Sequence, residues 1–179
     1  MPSLRTTLAI LVTGAVAVVA GVAGCKDSPT TTVSRRIEDP WAIAQGAGLL
    51  PLIVHGRPAF AADAAVADAV YEAARRAITW TATPPVVRAG PGDAGVRLRL
   101  VYVFNGAPGG DACAVVPPGG EPLPGGEVTL VAGFCDGGQT LVRVDGRVGR
   151  SEGLGDSRLR RLIAQATREL LAPPPAPRP

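Results

Sequence analysis

The sequence predicts an α+β fold: a two-layer sandwich in which a mostly antiparallel sheet of four to five strands carries two amphipathic helices on one face. Three observations lead there. Two segments, 61–80 and 156–172, repeat their apolar residues at helical spacing but on one side only, so each must lie on something flat. VRLRLVYVF, 96–104, alternates like a strand. EVTLVAGFC and TLVRVDG flank DGGQ and read as a hairpin.

In chain order, the first folded element is AGLLPLIV, 47–54, a short apolar run. Pro51 removes a donor there, so an edge strand or a bulge is expected. In the helix over 61–80, Val66, Val70, Ala73 and Ala77 share one face, while Asp68, Glu72, Arg75 and Arg76 share another. Glu72 and Arg76 form an i,i+4 pair in the favourable order, and Pro84 and Pro85 stop the element. PVVRAG is a candidate short strand. In 96–104, Val96, Leu98, Leu100, Tyr102 and Phe104 point one way, and Arg97, Arg99, Val101 and Val103 the other, as a central strand would. The last helix is capped by Asp156 or Ser157, carries the stripe Leu159, Leu162, Ile163, Ala166 and Leu170, and ends at Pro173. A single domain over 41–172 results, with no internal repeat.

Outside it lie two ends of different character. KDSPTTTVSRRIEDP has no apolar period, and residues 25–40 read as a flexible tether; 173–179 read as an extended, Pro-rich disordered tail. The chain begins with a positive Arg5, an uncharged run from Thr6 to Gly24, and the small residues Ala23 and Gly24 before Cys25: the order of a secretory signal peptide over 1–24. Val22-Ala23-Gly24-Cys25 resembles the lipobox of bacterial lipoproteins. That resemblance implies cleavage before Cys25, a diacylglyceryl group on its sulfur and an acylated amine, hence a membrane anchor. One acyl chain holds a protein marginally and two or more hold it durably. The resemblance further implies, from Lys26 in place of Asp after the cysteine, residence at the outer membrane facing the periplasm, with inner-membrane retention left open. An uncut transmembrane anchor and an ordinary secreted protein are the alternatives.

With Cys25 acylated, Cys113 and Cys135 are left as a pair in an oxidising compartment, where a disulfide is the natural inference. It closes a loop of about 23 residues, contributing about 3 kcal/mol in the chain-entropy account. The enclosed stretch is rich in Gly and Pro and could hardly order itself otherwise.

Reactive constellations are sparse. From Cys25 onward there are 17 basic and 15 acidic residues, too even a balance to imply nucleic-acid binding. His55 is the only histidine, no Cys-x-x-Cys occurs, and no metal or cofactor is expected; nothing resembles G-x-S-x-G. His55, after a strand and before a turn, stands where catalytic residues occur, though a backbone-bonded strand end is the plainer reading. The loop GRSEGLGDS, 149–157, opens a helix with Arg150 and Arg158 beside it. Asp156, however, occupies the place an anion would need. Arg158, Arg161 and Arg168 crowd one side of the last helix and could rest on anionic headgroups or simply be a solvated face. Arg97 and Arg99 beside Val101 and Val103 make a mixed platform if nothing covers that side of the sheet; arginine stems could also cover it themselves. The function expected is a lipid-anchored envelope protein acting as a non-enzymatic binding or assembly module for an envelope protein or cell-wall component. The alternative is a periplasmic enzyme or small-molecule binder using His55 and the 149–157 loop.

Overall fold

The computed structural model describes residues 28–107, 109–114 and 120–173. Cys25, the leader and all but the first residue of the Pro-rich tail lie outside them. Six strands form one sheet: β1 (Thr30–Arg35), β2 (Leu50–His55), β3 (Val86–Arg88), β4 (Leu98–Phe104), β5 (Val128–Asp136) and β6 (Gln139–Val148), in the order β1-β6-β5-β4-β2-β3. Three α-helices among the described residues, α1 (Pro40–Ala47), α2 (Asp63–Ala77) and α3 (Ser157–Leu171), accompany it. The fold is α+β as expected, but the sheet is mixed and larger, and the described residues form three α-helices instead of two.

The mixing has a topological cause. Strand β2 is followed by α2 and then β3, which pairs parallel to β2; β4 pairs parallel to β2 on its other side. Parallel neighbours need a long crossover connection, usually a helix, and α2 supplies the one between β2 and β3. Antiparallel pairing is confined to β4-β5, β5-β6 and β6-β1. Pro51 therefore sits in an interior strand, not an edge. Leu50 donates to the Pro85 carbonyl and Leu52 accepts from Ala89, so Pro51 faces the β4 side, where pairing begins only at Leu52. Its missing donor costs the ladder nothing.

Two elements come from stretches that show no apolar period of their own. The 25–40 stretch supplies β1, a mostly exposed edge strand paired with β6 from Thr30↔Arg147 to Arg35↔Val142. Just after it, the Asp39 carboxylate accepts from Ala42 N at 2.9 Å, and Pro40 at the first turn launches α1. Helix α2 also ends earlier than its prolines suggest, because Ile78 turns extended and is buried.

The main core lies between the sheet and the helices. Leu52, Leu100, Tyr102, Phe104, Leu130 and Phe134 of the sheet meet Val66, Val70 and Ala74 of α2 and Leu159, Leu162 and Leu170 of α3. On α2, Ala74 is buried and Ala73 only partly so, which rotates the helix slightly from its sequence-based placement. Close approach of α3 depends on Gly146 in β6: a Cβ there would stand 2.6 Å from Leu162 Cδ1. The opposite face has its own small core, in which Val101, Val103 and Val131 lie under Ala112 and the Cys113–Cys135 disulfide. Gly133 makes room for this cover, since a Cβ would meet Cys113 Sγ at 3.0 Å.

Candidate functional site

Helices α2 and α3 leave the same end of the sheet, because β2 and β6 run in the same direction. Between them, on the outer side of the helix layer, runs an open groove of about 480 Å³. Its floor is apolar and low: Ala69, Ala73 and Ala77 come from α2, four residues apart, and Ile163 and Ala164 from α3, with Leu154 at one end. Ala73 reaches this wall because Ala74, not Ala73, turns into the core.

The rim is cationic. Arg160, Arg161 and Arg168 stand on α3 and Arg76 on α2, with Glu72 the one acidic residue lining the groove. Glu72 lies 3.7 Å from Arg76 and 3.5 Å from Arg88, so its single charge is divided. Arg161 donates to the Ser157 carbonyl and Arg168 to the Ala164 carbonyl, both within α3. No carboxylate among the described residues pairs with Arg160, Arg161 or Arg168. Four guanidiniums facing one carboxylate across a partly apolar concavity create a positive field that water screens less than on a flat surface.

The structure distributes the other sequence-derived candidates widely. Arg158 does not line the groove. Its guanidinium and backbone N–H both bond Asp156, whose carboxylate also accepts from Glu152 N and caps α3. The Arg158 hydrogen bonds hold the Asp156 carboxyl well below the usual carboxylate range. Arg99 is buried, donating to the carbonyls of Val96 (2.9 Å) and Cys113 (3.4 Å); it is a brace for the disulfide loop rather than part of an open platform. Arg143 holds the same loop from β6, through the Gly110 carbonyl. The loop thus covers Val101 and Val103. Arg97 is exposed and ion-paired with Asp136. Both border a second cleft, of about 460 Å³, with the exposed side chains of Leu49 and Val96.

His55 ends β2 on the disulfide-loop side of the sheet, beside Val103 of β4. It makes no hydrogen bond or ion pair with a described residue. Partial burial and then the charge of Arg99 lower its pKa, both disfavouring the charged ring. The 149–157 loop turns the other way: Leu154 packs into the main core and Ser157 lines the helix groove. The sheet thus separates the histidine from that loop. Among the described residues no group of three or more His, Cys, Asp or Glu is placed to hold a metal. No helix there is long and apolar enough to cross a membrane.

The sequence signalled half of the groove. Arg161 and Arg168 share a helix side at seven-residue spacing, whereas Arg76 and the alanines of α2 join them only through tertiary packing.

No protein-family profile matches the chain, and no curated protein does. Among solved structures it is similar to the PelC dodecamer of Paraburkholderia phytofirmans, at 16% identity with a TM-score of 0.46, covering 80% of this chain and 98% of that one. A point variant of the same dodecamer gives 18% identity and a TM-score of 0.42 over the same shares. Likeness at this level assigns neither a function nor an assembly to the present chain.

Proposed function

We propose that this protein is a bacterial lipoprotein, anchored in the envelope through acyl chains on Cys25 and facing the periplasm. Its role is to bind another envelope component, not to catalyse a reaction. The observation that carries the binding half is the arginine-rimmed groove between α2 and α3, which concentrates unneutralised charge around an apolar floor. The anchoring half rests on the lipobox-like Val22-Ala23-Gly24-Cys25. Lys26 after the cysteine favours the outer membrane.

The strand β1 changes what such an anchor does. Only Lys26–Pro29 separate Cys25 from Thr30, the first residue of β1. Four residues at full extension span about 14 Å. The domain is therefore held against the headgroups instead of ranging on a long leash, and its groove samples only what comes close to the membrane.

Chemical cross-linking of the full-length protein in its native envelope, read by mass spectrometry, tests this. The expected result is acylated Cys25 together with a cross-linked neighbour that is lost when Arg161 and Arg168 are both changed to Glu. An acylated protein whose neighbours ignore that charge reversal contradicts the binding role.

A further inference from the structure

The groove has a shape and a charge pattern that a single class of partner matches, and the inference rests on its being the binding site. From these we infer that the α2/α3 groove receives an amphipathic helix of a partner protein, with its apolar stripe on the alanine floor and acidic residues along its flanks.

Three features select that occupant. Ala69, Ala73 and Ala77 recur every four residues on one wall and Ala164 lies on the other. Small side chains on both walls let a third helix settle at the 8–10 Å axial spacing of ordinary helix packing. Ile163 and Leu154 supply larger apolar contacts at the floor and one end. Second, Arg161 and Arg168 are seven residues apart, about 10 Å along α3 at 1.5 Å per residue. Carboxylates two turns apart on a docked helix meet both, and Arg76 on α2 addresses the other flank. Such planar, bidentate pairing is what guanidinium offers a carboxylate. Third, the arginines are spread along the groove instead of converging on one point, so a lone phosphate would engage one or two of them. A flat bilayer would touch the rim without filling the floor. A helix laid in the groove uses floor and rim together, with anchors at i, i+3 or i+4, and i+7.

The test places the photo-reactive residue p-benzoylphenylalanine at position 73 of the full-length protein in its native envelope. A second version carries it at exposed Thr79, at the end of the groove, in case the first packs poorly. Irradiated adducts are digested and sequenced by mass spectrometry. The expected adduct is a peptide of another protein with apolar residues at helical spacing flanked by Asp or Glu. Its yield falls at least tenfold with Arg161→Glu plus Arg168→Glu and is unchanged with Arg75→Glu, an exposed arginine outside the groove. A lipid or glycan adduct, a peptide without that pattern, or no adduct from either position overturns the helix. A lipid or glycan adduct would do so while leaving envelope binding through the groove intact, whereas insensitivity of all adducts to the charge reversal would remove both.

Discussion

The Tyr102 hydroxyl lies 2.8 Å from Thr167 Oγ1 in the middle of the core, joining β4 to α3. Thr167 has one hydroxyl proton and directs it to the Ile163 carbonyl at 2.8 Å. The tyrosine must therefore be the donor of the pair. Burial drives its pKa far above the ordinary phenol value, which keeps that proton in place.

An asymmetry follows for substitution. Tyr102→Phe removes a donor and leaves Thr167 still bonded to Ile163, costing about 1 kcal/mol. Thr167→Val strands a buried phenol hydroxyl and costs more, about 1–3 kcal/mol. Urea unfolding of both variants checks the order, and a Thr167→Val protein no less stable than Tyr102→Phe would reverse the donor assignment.

Gly146 and Leu162 make a second, steric prediction. With 2.6 Å to Leu162 Cδ1, an added Cβ must displace the Leu162 side chain, which is fully buried against the sheet. Gly146→Ala should cost about 1–3 kcal/mol by overpacking. Leu162→Ala in the same chain should recover part of that loss, so the double variant is more stable than the sum of the two single changes. Simple additivity in thermal or urea unfolding would mean that the two sites do not touch.

Breaking Cys113–Cys135 should loosen one face only. The disulfide closes residues 22 apart and covers Val101, Val103 and Val131. Replacing both cysteines with Ser should cost about 2–4 kcal/mol. Amide exchange should accelerate in residues 109–114 while α2 and α3 keep their protection relative to global unfolding. Equal acceleration in the helices would show that the two cores unfold as one.

The α3 cap gives a pH signature. Asp156, held by Arg158, has a depressed pKa in the folded protein, so around pH 2–4 the unfolded chain binds more protons. Stability from this group is full above about pH 4 and is lost as pH falls below it. Asp156→Asn keeps a capping acceptor but flattens that part of the acid limb; Asp156→Ala also loses about 1 kcal/mol at neutral pH. Matched unfolding curves at pH 7 and pH 3 separate the two effects.

Why some of this fold is legible in the sequence and some is not has physical reasons. Helices α2 and α3 bury one face each, so their periods stand out; β4 and β5 bury both faces, the second under the disulfide loop, and stand out as apolar runs. β1 is an edge strand with most of its side chains exposed, so TTTVSR shows no apolar alternation despite its β-branched residues. α1 spans eight residues and buries only Pro40 and Ala44, too little for a helical period to stand out. The parallel pairing of β2 departs from the mostly antiparallel sheet expected, because it runs in part through β3, whose three residues are too few to show a period. Arg99 looked like surface because its type is usually exposed, and only the folding of the disulfide loop over β4 buries it. The groove needed α2 and α3 side by side, a relation between distant residues that no local period encodes.

The measurement closest to the central claim is the mass of the N-terminal peptide of the mature protein taken from bacterial envelopes. A peptide beginning at Cys25 and carrying a diacylglyceryl group and an N-acyl chain is the predicted result, with a Cys25→Ser protein recovered uncut and without lipid. An unmodified Cys25 in protein that still fractionates with membranes would contradict it.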